Sequence, residues 1–248
     1  MQVLERATRF VVGKSMDLVE RGITKSPLLG RPLAQPPTNA RPVILMSGYG
    51  NTEESMTAIG RSLKRDGFRD VYHLPAPEHG MASARVGVNL LDDLIRNIKA
   101  TTGAKEVDIV AHSRNGQVAR NYVQENGPGD VRNLVLLTSA NHGIPLGPLE
   151  KVAPQGLREL SSTGPLIRAL NKGPDMTPPG VNYTTVSTGK LDWVMFPAST
   201  GQVPADSNAV NVIVDKGRTF GPFSKVSHFG VLKDDKSYEA IRTGLQRA

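Results

Sequence analysis

The chain contains no cysteine among its 248 residues. This absence excludes disulfide bonds, thiolate metal ligands and a cysteine nucleophile, so any enzymatic nucleophile must use oxygen or nitrogen. Aromatic residues are also scarce, at 5% of the chain. The sequence therefore offers no visible platform on which nucleic acid bases would stack.

Long apolar runs are missing too, and we expect no transmembrane segment. Hydrophobic residues make up 38% of the chain and charged residues 21%, which is ordinary for a globular protein. The formal net charge of +7 comes from Lys and Arg that are scattered along the chain. Because no basic tract is present, we expect a solvated basic surface and no nucleic acid partner.

The first 41 residues differ from the rest. The stretch MQVLERATRFVVGKSMDLVERGI has apolar residues at roughly helical spacing, which predicts an amphipathic helix lying on the domain or on an interface. Charged residues interrupt it, so it is not a Sec signal as written. The prolines of Thr24 to Arg41 predict an extended connector. We therefore divide the chain into residues 1–41 and a domain at 42–248.

From Pro42 onward, short apolar runs that predict strands alternate with helical patterns. Such alternation is typical of an α/β fold with a mostly parallel sheet covered by helices on both faces. Strands are predicted at PVILMSG, VYHLPAP, EVDIVAH, VRNLVLLTS, NYTTVST and AVNVIV. Helices are predicted at TEESMTAIGRSLKRDG, from Val86 to Thr102, after Ser113, and from Asp235 to Gln246.

The stretch VDIVAHSRNG places Ser113 where the third predicted strand meets a helix. Ligands bind beyond the carboxyl ends of parallel strands, so a hydroxyl at this corner faces solvent and substrate. A nucleophile elbow needs small neighbours, and Ala111 meets that need two positions before the serine. Asn115 stands two positions after it, with Gly116 next. On these residues alone, a catalytic serine and an ordinary serine helix cap are equally open.

Two later segments add an acid and a base. The stretch LDWVMFP places Asp192 just after a predicted strand, and KVSHFGVLKD places His228 in a loop before the last helix. The chain order is therefore Ser, Asp, His. This is the order found in α/β-hydrolases, since their acid and base loops follow successive strands at the same sheet edge.

With these motifs, the sequence resembles the small bacterial lipases and esterases of the α/β-hydrolase superfamily, in particular the compact Bacillus type. Those proteins carry an AHSMGG elbow after a V-D-I-V strand, an Asp followed by aliphatic residues and Met, and a G-H-x-G-L-L loop. The matching stretches here are VDIVAHSRNG, LDWVMFP and VSHFGVL. The stretch LMSGYGNT also resembles the family's H-G-x-G oxyanion loop, with Ser47 in the histidine position. The resemblance runs from about Pro42 to the C-terminus.

The resemblance implies a role for each matching residue. Ser113 would be the nucleophile, His228 its general base, and Asp192 the carboxylate that orients the base. The backbone N–H groups of Tyr49 and Arg114 would form the oxyanion hole. We expect the Arg114 side chain to be dispensable for the chemistry and its charge to lie beside the substrate mouth.

The other four histidines have more ordinary expected roles. His112 is expected to pack or hydrogen-bond under the elbow, and His142 to lie near the site as a structural residue. His73 and His79 fall in a Pro-rich loop that either borders the mouth or is simply solvated.

Asp206 and Asp215 are alternative acids if Asp192 is not in the site. Histidines and carboxylates show no close paired spacing. We therefore expect no metal ion and no cofactor.

Between His142 and Gly180 the chain is longer than in the compact lipases. This segment is rich in leucine at partly helical spacing, and Pro154 and Pro165 break it into short helices. We expect a cap-like helical insertion at residues 143–180, which either binds an acyl chain and opens at a lipid surface or simply covers the sheet.

The expected function is that of a serine carboxylic-ester hydrolase, a lipase or esterase that works through an acyl-enzyme. Two other classes stay open. One is a catalytically weak α/β-hydrolase-like binding protein, suggested by Ser47 and Asn115, and the other is an acyltransferase or thioesterase with the same triad. We expect a monomer with an ester or lipid substrate, at a lipid–water interface or in solution. The family resemblance implies secretion, whereas the missing Sec signal leaves a cytoplasmic location open.

Overall fold

The computed structural model describes residues 27–38, 40–172, 176–188, 192, 197–205, 208–214 and 228–248. The amphipathic helix predicted at the N-terminus lies outside these ranges. So do the two alternative acids, Asp206 and Asp215.

The six described strands form one sheet in the order β2-β1-β3-β4-β5-β6, and every neighbouring pair is parallel. All six strand predictions and the α/β class are therefore confirmed. The strands are β1 (Val43–Met46), β2 (Val71–His73), β3 (Val107–His112), β4 (Val131–Leu137), β5 (Asn182–Ser187) and β6 (Ala209–Ile213).

Helices connect these strands close to the predicted positions. The second one begins at Ala84, two residues before its predicted start, because the Ser83 hydroxyl caps it by accepting a bond from the Val86 N–H at 3.4 Å. The described α-helices are α1 (Thr57–Arg65), α2 (Ala84–Thr102), α3 (Arg114–Asn126), α4 (Gln155–Arg158), α5 (Pro165–Leu170) and α6 (Asp235–Leu245).

Hydrophobic cores cover both faces of the sheet. Ile44 and Ile109 pack under α2 and α3 on one face, and Val43, Leu45 and Val110 pack under α1 and α6 on the other. Successive side chains of a strand point to opposite faces, so a strand buried on both sides needs an unbroken apolar run. This is why the strands were visible in the sequence.

Part of the predicted connector is attached to the sheet domain. Leu29 is buried in the core beneath α1 and α6, and its N–H donates to Ser62 Oγ at 2.7 Å. The Arg65 guanidinium donates to the carbonyls of Leu29 and Gly30 at 2.8 and 3.1 Å. Residues 29 and 30 are therefore held by hydrogen bonds, although they form no regular secondary structure.

The segment after β4 contains the short helices α4 and α5 and a 3-10 helix, Gly147–Lys151. Pro154 and Pro165 stand at the beginnings of α4 and α5, where proline is tolerated because the first N–H groups of a helix have no intrahelical acceptor. The prediction that prolines divide this segment into short helices is confirmed.

A buried arginine attaches α5 to the main domain. Arg120 of α3 is 1% exposed, and its guanidinium donates to the Leu170 carbonyl at 2.9 Å and to Asn171 Oδ1 at 3.0 Å. It also donates to the Asn141 carbonyl at 3.1 Å. Since Leu170 ends α5, the cation also lies at the negative end of that helix.

Candidate active site

Ser113 lies at the sharp turn between β3 and α3. Its backbone angles are φ 53° and ψ −126°, a conformation that a non-glycine residue rarely adopts. The Ser113 N–H donates to the Leu137 carbonyl at the end of β4, at 2.8 Å, which holds the turn against the sheet. The strained backbone and the position at the carboxyl ends of the strands are those of a nucleophile elbow.

A glycine lets the elbow helix approach the sheet. A Cβ added to Gly116 would lie 2.1 Å from Ser139 Oγ and 2.6 Å from Ser139 Cβ, so only glycine fits there. Sequence analysis noted Gly116 as displaced by one position from the usual pattern. In the structure, Gly116 has the function of the small elbow residue, because it allows α3 to pack closely against the end of β4.

Ser113, His228 and Asp192 form one hydrogen-bonded series. Ser113 Oγ lies 2.9 Å from His228 Nε2, and His228 Nδ1 lies 2.9 Å from Asp192 Oδ2. Because a carboxylate only accepts, Nδ1 carries the proton and Nε2 is left to accept from the serine hydroxyl. Asp192 and His228 are buried, whereas Ser113 is half-buried. The fold thus brings together three residues that are up to 115 positions apart.

Two side chains at strand ends hold the backbone of His228. His112 Nε2 donates to the His228 carbonyl at 2.9 Å, and Thr138 Oγ1 donates to the same carbonyl at 3.2 Å. Burial, together with the nearby charge of His228, lowers the pKa of His112 to about 3, so this ring stays neutral. The expected hydrogen-bonding role of His112 is confirmed. The contact of Thr138 with His228 was not predicted, and the only signal for it was the place of Thr138 near the end of a predicted strand.

The predicted oxyanion loop lies directly on the elbow. A Cβ added to Gly48 would stand 2.6 Å from His112 Nδ1 and 3.0 Å from Ser113 Cβ. Ser47 and Gly48 are buried, and Tyr49 is half-buried. The assignment of Tyr49 and Arg114 as oxyanion donors stays a prediction.

The Arg114 side chain corrects one expectation. Its guanidinium is only 4% exposed and donates to Glu159 Oε2 at 2.5 Å and to the Gly156 carbonyl at 3.0 Å. The same Glu159 oxygen accepts the Ala84 N–H of α2 at 2.8 Å. The charge that was expected beside the substrate mouth is therefore paired and covered, because Glu159 and α4 lie against the cation.

A small apolar pocket lies beside the start of α3. Residues of the loop after β2 and of α2 line it, next to Arg114 and Asn115; they are Leu74, Pro75, Ala76, Pro77, Ala82, Ser83, Gly87 and Leu90. Its walls are predominantly hydrophobic.

The remaining histidines lie in three different settings. His73 is buried in β2, and burial lowers its pKa to about 4. His79 is exposed in the 3-10 helix Pro77–Gly80. His142 is exposed, and partial burial of its ring lowers its pKa. Within the described ranges, no group of three or more acidic or histidine side chains is arranged to hold a metal ion.

Residues 40–156 match the family model described as lipase (class 2). This match covers the part of the chain that contains Tyr49 and Ser113, and it ends before Asp192 and His228. No curated protein matches the chain. No helix in the described part of the chain is long and apolar enough to cross a membrane.

Several solved structures share the fold. The mature lipase BlEst2 of Bacillus licheniformis has a TM-score of 0.63 at 16% identity, covering 88% of this chain and 97% of that one. Lipase B of Aspergillus fumigatus has a TM-score of 0.66 at 18% identity, covering 85% and 53%. The product of gene lin2722 of Listeria innocua has a TM-score of 0.60 at 15% identity, covering 85% and 95%. The expected α/β-hydrolase fold is confirmed.

Proposed function

We propose that this chain, a small α/β-hydrolase of the lipase and esterase type, is a serine hydrolase that cleaves carboxylic esters through an acyl-enzyme. The observation that carries the proposal is the hydrogen-bonded series from the Ser113 hydroxyl through His228 to Asp192, with 2.9 Å at each step. The elbow supports it further, because its strained backbone holds the hydroxyl at the carboxyl edge of the sheet.

The first half of the reaction acylates the serine. Ser113 Oγ attacks the ester carbonyl carbon while His228 Nε2 accepts the hydroxyl proton. Asp192 accepts the Nδ1–H bond and stabilises the imidazolium that forms. The imidazolium then protonates the leaving alcohol oxygen as the carbon–oxygen bond of the ester breaks. The product of this half is the acyl group on Ser113.

The second half returns the enzyme to its starting state. Water takes the place of the alcohol, and His228 removes one of its protons as the oxygen attacks the acyl carbon. The same histidine returns this proton to Ser113 Oγ when the carboxylic acid leaves. In both halves, the negative carbonyl oxygen would accept bonds from the Tyr49 and Arg114 N–H groups.

We propose an ester or lipid substrate whose acyl group enters the apolar pocket beside Arg114 and Asn115. Leu149 and Val152, 66% and 80% exposed, lie on the segment that precedes α4. These exposed apolar side chains support contact of a monomer with a lipid surface. Turnover of the same ester in solution and in vesicles measures this contact directly.

The decisive experiment combines turnover with covalent labelling. The chain should hydrolyse short p-nitrophenyl esters and react with a fluorophosphonate at Ser113, and Ser113→Ala should abolish both because it removes the nucleophile. Ser162→Ala, at an exposed serine, is the matched control and should behave as wild type. A folded Ser113→Ala protein with full turnover would remove Ser113 from the mechanism, and an unreactive wild-type serine would favour a binding protein.

Product analysis separates hydrolysis from transfer. With a soluble alcohol added to the assay, a hydrolase releases mainly the free acid, whereas an acyltransferase forms mainly the new ester. A predominant ester product would replace the proposed hydrolase by a transferase with the same triad.

A further inference from the structure

We propose that Asn115 is a positioning residue, whose side-chain amide fixes the backbone loop that presents the Tyr49 N–H to the reacting carbonyl oxygen. The inference rests on the proposed esterase function. It assigns a task to the residue by which this elbow departs most visibly from the family pattern.

Asn115 is the second residue of α3 and is 7% exposed. Burying a primary amide is costly unless its polar atoms are hydrogen-bonded. Its Nδ2 atom donates a short hydrogen bond to the Ser47 carbonyl, 68 positions earlier in the chain. The amide therefore joins the first turn of the elbow helix to the residue that follows β1.

This bond fixes one of the two peptide groups that flank Gly48. The other one is held by the Gly48 carbonyl, which accepts the Asn51 N–H at 3.2 Å. In a trans peptide the N–H and the C=O point in opposite directions. The direction of the Tyr49 N–H is thus set by the bond that the Gly48 carbonyl makes, and the position of Gly48 is set by Asn115.

The loop that contains Gly48 lies close to the nucleophile, so a small shift of the loop would change the position of the Tyr49 N–H relative to Ser113. A Cβ on Gly48 would lie 3.0 Å from Ser113 Cβ, so the space between loop and elbow does not admit a side chain at position 48. Oxyanion donors stabilise a transition state only when they are held in place before the reaction. A loop that shifts by a fraction of an ångström would still bind the ester but would stabilise its tetrahedral intermediate less.

In the usual elbow, a small residue two positions after the serine allows the helix to pack closely against the sheet. Here Gly116 has that function, and Asn115 has a different one. Gly116 provides the close approach of α3 to β4, since an added Cβ would lie 2.1 Å from Ser139 Oγ. Position 115 therefore does not have to be a small residue. It carries a side chain long enough to reach the Ser47 carbonyl.

The test compares two substitutions of Asn115 with one matched control. Asn115→Asp keeps the shape but loses the amide donor, and Asn115→Gly restores a small residue. Gln117→Leu is the control, because Gln117 is a fully buried amide on the same helix whose polar atoms have no hydrogen-bond partner in the described part of the structure. Circular dichroism identifies the folded variants, and the glycine variant avoids the buried charge that could unfold the aspartate one.

Both Asn115 variants should lower kcat by roughly tenfold to a hundredfold while changing KM less than about threefold, since only transition-state binding is lost. Their affinity for phenylboronic acid, which forms a tetrahedral adduct on a reactive serine, should fall by a similar factor. Gln117→Leu should keep wild-type kcat and boronic acid affinity.

Three results would overturn the inference. If the wild type hydrolyses esters and a folded Asn115 variant keeps wild-type kcat and boronic acid affinity, the positioning role is refuted and the esterase function stands. A loss confined to KM or to thermal stability would make Asn115 a substrate contact or a packing residue. A wild type without esterase activity would remove the proposed function and this inference together.

Discussion

Buried acidic side chains occur at both edges of the parallel sheet, and their partners differ in kind. At the amino edge, where α1 ends, Asp66 accepts bonds from Arg65 Nε at 2.7 Å, Tyr238 Oη at 2.9 Å and Arg242 Nη1 at 3.0 Å. Burial alone would raise the pKa of Asp66, but its hydrogen bonds to Arg65, Arg242 and Tyr238 lower it. The carboxylate is therefore stable as an anion.

At the carboxyl edge, Asp192 Oδ2 bonds to the Nδ1 atom of His228 at 2.9 Å. The next residue in this series, Ser113, has a strained backbone with φ 53°. Thr138, which supports His228, also has a positive φ of 41°. Backbone strain is thus found at the carboxyl edge, whereas Asp66 at the amino edge is surrounded by two guanidinium groups and has satisfied hydrogen bonds.

We therefore expect substitution of Asp66 to affect mainly stability, and substitutions in the series of Ser113, His228 and Asp192 to affect mainly turnover. Four measurements test this expectation.

The largest effect is expected from Asp192→Asn. An amide in place of the carboxylate favours the wrong tautomer of His228, so kcat should fall about 10⁴-fold, as in a comparable triad. The free energy of unfolding should change by less than about 1 kcal/mol, because the polar contact is kept. Ester turnover and urea unfolding measure the two quantities. A variant that loses stability but keeps activity would reverse the roles of the two edges.

Asp66→Ala should have the opposite outcome. Removing the carboxylate leaves two guanidinium groups without their counter-ion, which should cost about 3–5 kcal/mol of unfolding free energy. The kcat of the folded protein should stay within about twofold, since Asp66 lies at the other edge of the sheet. Glu239→Ala, at an exposed position on α6, is the control. A stability loss below about 1 kcal/mol would show that the Asp66 bonds contribute little.

A pH effect is expected from Asp108, at the start of β3. Burial raises its pKa to about 7, and the attraction of Arg41, 3.8 Å away, offsets only part of this. Between about pH 4 and 7 the folded chain then binds a proton that the unfolded chain has lost. Stability should therefore fall as pH rises, by up to about 1.4 kcal/mol per pH unit.

Asp108→Asn should remove this slope, because the amide does not titrate while its oxygen still accepts the Asn133 N–H, as Asp108 does at 3.1 Å. Urea unfolding of both proteins from pH 5 to pH 8 measures the difference, with Glu239→Gln as control. Parallel curves for wild type and variant would mean that Asp108 is ionised throughout this range.

The smallest effect concerns strain at the elbow. Glycine adopts φ 53°, ψ −126° without steric cost, whereas alanine does not. Ser113→Gly should therefore be more stable than Ser113→Ala by roughly 1–2 kcal/mol. Both variants lack the hydroxyl, so their difference isolates the backbone. Equal thermal and urea stabilities would mean that the elbow stores no strain.

Much of the fold was predictable because its signals are local. Strands such as β1 (VILM) appear in the sequence as short apolar runs between turn residues, and the prolines of the insertion divide its helices in the sequence itself. Ser113, Asp192 and His228 were predicted as a set from three short motifs and their order. Which of these residues touch each other was not in the motifs, since 36 and 115 positions separate His228 from Asp192 and Ser113.

The side-chain contacts that the sequence did not predict have a common cause. The side chain of Arg114 was expected to place its charge beside the substrate mouth, and its pairing with Glu159, 45 positions later, was not predicted. Thr138 was not singled out, because its bond to the His228 carbonyl joins residues 90 positions apart. A side chain at a strand end or helix start has several directions open to it, and distant segments select among them.

The sequence by itself determined the parallel α/β sheet, the elbow at Ser113 and the order of its candidate partners, because periodicity, turn residues and motif spacing act within a few residues of chain. Only the tertiary structure decided that Arg114 is covered, that Asn115 bonds to the Ser47 carbonyl, and that Leu29 is buried in the core. These outcomes depend on which segments come to lie against each other. That choice is made by the packing of the whole chain, where a buried polar group must find a partner and an apolar one must leave water.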